Sequence, residues 1–330
     1  MPFEESLFAM DSIEHIQLPS ISSQRIMMED LFLARPSSLA YHDNDFLLVG
    51  DRGMATQLVV IDLKQNSVYR DINKGRSSNE LLALWDILVQ DDGLFLSSLL
   101  ENKLIKMDYD SDNRRFVYSD LMYFPQQFMH CTPIDGGYLT FGSASSGNRF
   151  VRWTENLTVI DTVGTFPVEG ITGHEEAENG VLQSEFAVSP DKKKIAVAYK
   201  NIDYIEIYED GILTNRIRGP RKYEVSIRTD EVRDGAYMTS VLPLNLAYKS
   251  IKATRRGFYA GYIGLKPING MIPTPDMNRI RKIFHFDWEG NLKRVYTFEN
   301  PVEDFAVDER SGLIYCLNND PEPNIVKYNM

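Results

Sequence analysis

The feature that most constrains this chain is a recurring pattern of short strands, clearest in Trp85–Asp108. Ile87 and Val89 alternate with polar neighbours, and Asp91-Asp92-Gly93 makes a tight turn. Leu94-Phe95-Leu96 runs back, Glu101-Asn102 turns again, and Leu104-Ile105-Lys106-Met107 runs out to Asp108. Period-two alternation bounded by Asp-Gly marks a hairpin, because glycine accepts the positive φ of the turn.

The pattern returns five more times. The further copies are Leu39–Asp62, Cys131–Thr154, Phe186–Tyr208, Ile251–Asp287 and Phe305–Asn329. With the opening copy, the end markers fall at positions 62, 108, 154, 208, 287 and 329, at spacings of about 46, 46, 54, 79 and 42 residues. Strand-built repeats in this range mark propellers. A fourth strand follows five of the units: Ser67–Tyr69, Phe116–Tyr118, Thr158–Ile160, Leu213–Arg216 and Leu292–Tyr296. The prediction is therefore an all-β six-bladed β-propeller with four-stranded antiparallel blades, occupying 1–330 as one domain. The sixth unit runs out of chain before its fourth strand. The alternating stretch Ile13–Leu18 has no unit of its own, so the N-terminal strand 13–18 is expected to complete blade six and close the ring. Parallel βαβ architectures are excluded, because no amphipathic helix of twelve or more residues separates the strands. Short helices are expected around Ser23–Leu33 and Thr274–Arg279.

The net charge of −12 argues against phosphate-mediated nucleic-acid binding and against an anionic membrane surface. No apolar run is long enough for a transmembrane helix. Cys131 and Cys316 are too few for a disulfide framework and read as buried apolar residues.

The first-to-second-strand turns are short. The long segments, Asp71–Leu84, Phe166–Ser184, Ile217–Tyr248 and Tyr262–Lys282, all open on one face. Repeat proteins tend to place insertions on the binding face. Candidate ligand-binding residues there are Arg76, His174, Arg221, Arg233 and Tyr237, since arginine offers a bidentate fork to carboxylate or phosphate. The competing reading is a solvated face whose opposite charges pair with one another. First strands carry a polar residue near their start: Ser38, Asp86, His130, Glu185, Ser250 and Asp304. Of these, Asp86, Glu185 and Asp304 have the oxygen chemistry for a divalent cation at the mouth of the central channel. They serve equally well to solvate the wall of a water-filled channel.

Catalytic signatures are missing. There is no HExxH, GxxxxGK[ST] or GxGxxG, and Gly142–Gly147 misses the spacing of a nucleophile elbow. The Asp108–Asp112 stretch lacks the glycine and glutamate of a calcium loop.

Three passages resemble the TolB-like six-bladed propeller family, largely extracytoplasmic proteins and lipoproteins of Gram-negative gut bacteria. Lys74-Gly75-Arg76-Ser77-Ser78-Asn79-Glu80-Leu81 is similar to that family's loop between blades one and two, with Ser-Ser-Asn replacing its usual small and proline residues. Val241–Tyr248 running into Gly257–Tyr262 resembles its blade-five opening, and Phe305–Asp308 with Leu313–Tyr315 its last blade. The resemblance implies the fold and a periplasmic or outer-membrane lipoprotein location, with a lipid anchor on a removed leader. It implies no catalytic residues. The expected function is a monomeric, non-enzymatic binding or scaffold protein of the envelope, engaging a protein, peptide or glycan on the long-loop face. The alternative is a metal-dependent hydrolase or lyase with its cation at the channel.

Overall fold

The structure is a computed structural model describing residues 4–330 apart from 8–9, 11, 21–22, 92, 143–149, 165–182, 224–225, 234–235, 243, 267–273, 275–276 and 320. Among the described residues it contains six blades of four antiparallel strands; the sheets of blades four and five each carry a fifth, parallel strand at the outer edge, and a separate two-stranded sheet lies after blade four. Blade one is Pro36–His42, Phe46–Asp51, Thr56–Asp62 and Ser67–Asn73. Blade two is Asp86–Gln90, Gly93–Ser98, Lys103–Asp110 and Arg115–Tyr123. Blade three is His130–Ile134, Gly137–Phe141, Phe150–Thr154 and Val159–Val163. Blade four is Ser184–Val188, Lys194–Tyr199, Tyr204–Glu209 and Ile212–Arg218. Blade five is Leu246–Ala253, Gly257–Leu265, Ile280–Asp287 and Leu292–Val302. Blade six is Asp304–Asp308, Leu313–Asn318, Asn324–Asn329 and, from the N-terminal end, Gln24–Arg25. The six-bladed all-β expectation is met, and the fourth strands predicted for blades one to five are present.

The chain divides into two compact units. One is Met1–Pro19 with Pro133–Pro301, and the other is Ser20–Thr132 with Val302–Met330. Blades one, two and six belong to the second unit, and blades four and five to the first.

Burial explains the sequence pattern. The second strands of blades one and two are buried at every position, so they read as continuous apolar runs. The fourth strand of blade two, Arg115–Tyr123, is by contrast largely exposed. A register shift marks the pairing of third with fourth strand at Lys106/Met107, Arg152/Trp153 and Ile207/Tyr208. Such bulges increase local twist and bend the strand. The polar end marker of the repeat also acquires a cause. Asp62 Oδ1 accepts from Lys64 N and Gln65 N, both at 2.9 Å, and Asp287 Oδ1 accepts from Glu289 N and Asn291 N. Thr154 Oγ1 accepts from Thr158 N at 3.1 Å. In each case the side chain closes the turn into the fourth strand.

The N-terminal region corrects two expectations. Glu14–Leu18 is a strand, but it does not complete blade six. It lies parallel to Leu292–Val302 at the outer edge of blade five, with Glu14 opposite Arg294 and Leu18 opposite Phe298. Blade six is closed by an N-terminal strand as expected, but that strand is Gln24–Arg25, antiparallel to Asn324–Asn329. Glu4–Leu7 adds in parallel to the outer strand of blade four. The segment 23–33 expected as helix therefore holds a strand, and no α-helix occurs among the described residues. No helix among them is long and apolar enough to cross a membrane.

Candidate functional site

In a four-stranded antiparallel sheet, the second-to-third connection and the exit from the fourth strand lie at the same end. In this chain those connections are the long ones. The opposite end carries turns such as Asp43-Asn44-Asp45 and Arg310-Ser311-Gly312. Two structured loops stand out at the long-loop end, one in each unit.

In the second unit, Lys74–Leu84 leaves blade one and folds back on itself. Lys74 bridges Leu81, Leu81 N donates to Asn73 O at 3.1 Å, and Gly75 N donates to Leu81 O at 3.1 Å. Glu80 Oε2 accepts from Ser77 N at 2.9 Å, and this bond leads the effects that lower its pKa. Lys103, fully buried, reaches the loop from blade two. Its Nζ donates to Ser77 O at 2.6 Å and to Glu80 O at 2.5 Å, and it lies 5.7 Å from the Tyr123 ring centroid. Arg76 sits at the exposed apex of this pinned loop.

In the first unit, Gly219–Tyr223 leaves blade four under the control of Asp203. This residue is fully buried between the second and third strands. Its Oδ2 accepts from Arg221 N at 2.7 Å and Lys222 N at 2.9 Å, while its own carbonyl accepts from Gly219 N at 2.7 Å. A Cβ on Gly219 would lie 1.9 Å from Asp203 Oδ1, so only glycine permits this approach. Burial raises the Asp203 pKa to about 6, against the opposing effect of the backbone bonds and the nearby Tyr262 hydroxyl. The Arg221 side chain is exposed. Farther along, the predicted loop contains a hairpin, Ser226–Arg233 with Ala236–Leu242.

The candidate ligand residues thus separate. Arg76 and Arg221 stand exposed on anchored loops. Arg233 and Tyr237 are described in backbone only, in the hairpin, opposite Ala236 and Glu231 respectively. His174 lies outside the described residues.

The candidate cation ligands are placed as follows. Asp86 Oδ2 meets His130 Nδ1 at 3.2 Å, and its charge also raises the pKa of Arg52, which burial lowers. The Arg52 guanidinium stacks 4.9 Å from the Trp85 ring centroid and donates to Leu84 O at 3.0 Å. Asp304 is buried, and its Oδ2 accepts from Leu39 N at 2.8 Å, tying blade six to blade one. Glu185 is half-buried in the first strand of blade four. Among the described residues no three His, Cys, Asp or Glu side chains are arranged to hold a metal ion. Cys131 and Cys316 are buried free thiols, with pKa values pushed up by burial and by Asp86 and Asp304 respectively.

Lys103 and Asp203, which shape both loops, were not among the sequence candidates. Neither stands in a motif. Their partners are main-chain groups of a distant loop, for which a single sequence offers no signal.

A succession of six four-stranded antiparallel blades defines a β-propeller. The sequence profile described as TolB-like 6-blade propeller-like matches residues 18–310, and the chain belongs to that family. Among solved structures, a protein of Bacteroides fragilis provisionally described as exported is 11% identical with a TM-score of 0.53, over 96% of this chain and 98% of its own. A member of the DUF4221 family from Bacteroides vulgatus is 9% identical with a TM-score of 0.54, over 92% and 94% respectively. At such identities the likeness is one of fold. No curated protein matches the chain by sequence.

Proposed function

We propose that the protein is a non-enzymatic binding or scaffold protein of the bacterial envelope, a monomer that engages a protein, peptide or glycan through the long-loop end of its blades. One observation carries this reading. Arg76 and Arg221 are exposed at that end on loops whose backbones are fixed from beneath, by Lys103 and by Asp203. Fixing a loop before binding lowers the ordering cost that a partner must otherwise offset. Export fits the provisional description of the Bacteroides fragilis neighbour. The metal-dependent alternative gains no support from Asp86 and Asp304, which are engaged by His130 and by Leu39 N.

The test uses immobilised full-length protein and an envelope extract. Arg76→Ala and Arg221→Ala are each expected to reduce capture of a specific component at least about tenfold, the scale of losing a charge-assisted bond. Lys64→Ala, in an exposed turn at the outer side of blade one, is expected to leave capture intact. Equal capture by all variants overturns the assignment of this surface.

A further inference from the structure

Arg35 and Arg52 stand side by side at the long-loop end of blade one. Arg52 N donates to Arg35 O at 3.1 Å, one step beyond the pairing of Pro36 with Asp51. Directly opposed residues of an antiparallel pair send their side chains to the same face, with Cβ atoms about 5 Å apart. Asp51, with no exposure, fixes this end of the ladder. Its Oδ1 accepts from Arg35 N at 2.8 Å and from Gly53 N at 3.0 Å, and its Oδ2 accepts from Ala34 N at 2.8 Å. Gly53 lets the turn pass this closely, since a Cβ there would lie 2.9 Å from Arg35 Cβ.

The Arg52 side chain is fixed as well. Its guanidinium lies 4.9 Å from the Trp85 ring centroid, and its Nε donates to Leu84 O at 3.0 Å. Trp85 is held in turn by its backbone N–H on Ser97 O at 2.8 Å. The two terminal nitrogens of Arg52, with four N–H groups, are left over. Arg35 is exposed, and its guanidinium makes no hydrogen bond or ion pair among the described residues. This is unusual in a chain of net charge −12, where acidic partners are abundant. Arg114, Arg216 and Arg310 each meet a carboxylate, at 2.8, 2.7 and 2.6 Å. Arg35 and Arg52 meet none among the described residues. Asp86 is the acid that acts on Arg52 through space, but its Oδ1 takes Ile87 N at 2.9 Å and its Oδ2 meets His130 Nδ1 at 3.2 Å. Burial and the Arg35 charge together lower the Arg52 pKa against Asp86, as two adjacent guanidinium groups without an anion require. Two positive charges against Asp86 leave one, which a single carboxylate neutralises. A phosphate, nearly doubly charged at neutral pH, would leave the cluster negative.

We propose that Arg35 and Arg52 form a binding site for a ligand that presents a single carboxylate. The held guanidinium of Arg52 offers its terminal N–H groups to one side of the carboxylate, and the exposed Arg35 closes on the other. Trp85 keeps the Arg52 fork in place before the ligand arrives, which lowers the ordering cost of binding. An acidic sugar and the C-terminus of a peptide both carry this group. The site gives a ligand chemistry to the long-loop end, and it rests on the reading of that end as the binding end.

The test is ligand-observed NMR titration of the full chain, at neutral pH and constant low ionic strength, with galacturonate, N-acetylglycine and inorganic phosphate. At least one of the two carboxylates is expected to bind saturably. Arg35→Gln and Arg52→Gln, both at exposed positions, are each expected to raise its Kd at least about tenfold, while Lys64→Ala leaves it unchanged. A response to galacturonate alone identifies an acidic sugar as the source of the carboxylate, and a response to N-acetylglycine alone identifies a peptide C-terminus. Saturable binding of neither, tighter binding of phosphate than of both, or a Kd unchanged in both arginine variants overturns the proposal. Such a failure is distinct from failure of the long-loop end as a binding surface. Capture from the envelope extract that still depends on Arg76 and Arg221 would then keep that surface and remove only the carboxylate site.

Discussion

Asp203 spends one carboxylate on two backbone N–H groups, Arg221 and Lys222, and does so out of contact with solvent. Burial outweighs those bonds, so its pKa stands near 6 instead of in the usual range near 4. The folded state thus holds this proton more tightly than the unfolded chain. Below pH 4 the residue is protonated in both states and costs nothing. As pH rises through 4 to 6 the contribution turns unfavourable, reaching about 3 kcal/mol above pH 6. Asp203→Asn keeps an acceptor for the loop and removes the titration. Urea unfolding between pH 4 and 7 is expected to show a fall in wild-type stability that the variant lacks; parallel curves would contradict the assignment. Lys103 is the counterpart in the other unit. Lys103→Met leaves Ser77 O and Glu80 O without a charged donor and is expected to cost about 2–3 kcal/mol in denaturant unfolding. None of this was legible in the sequence. Asp203 reads as one more polar residue in Lys200-Asn201-Ile202-Asp203, and Lys103 as one more strand-opening lysine, because their partners lie 18 to 26 positions away.

Strands were far more legible than their partners. Alternation revealed Glu14–Leu18 as a strand, since its side chains sort by face whatever it pairs with. Its neighbour was not written locally. A five-residue strand can add to any open blade edge, and the parallel pairing beside Leu292–Val302 is decided by long-range packing and by contacts such as Glu14 with Arg294 at 2.8 Å. Truncation separates the roles of the N-terminal strands. Removing residues 1–19 strips the outer edges of blades four and five and is expected to lower Tm. Removing 1–27 also opens the outer edge of blade six and is expected to lower it further, with aggregation on heating, as exposed strand edges pair with other chains. Equal Tm for both truncations would contradict the separate roles. Blade four depends on a buried ion pair: Glu206, with no exposure, accepts from Arg216 Nε at 2.8 Å and from the Tyr199 and Tyr208 hydroxyls at 2.6 and 2.8 Å. Arg216→Met leaves that carboxylate buried without its cation and is expected to cost about 3–5 kcal/mol, read by chemical denaturation.

Across the whole molecule, the sequence carried the fold and showed which end of the blades bears the long connections. Six copies of one strand pattern leave little freedom in fold class, and connection lengths reveal which end evolved insertions, because length needs no three-dimensional information. The residues of the proposed site were legible only where they lie on those insertions and are exposed, as Arg76 and Arg221 do. The buried groups that hold them were not. The central claim is that the long-loop end is the binding surface. Hydroxyl-radical footprinting of the protein, alone and after incubation with an envelope extract, tests it most directly. The account predicts protection in segments 74–84 and 219–223. Protection confined to the short turns around positions 43–45 and 309–312 would contradict it.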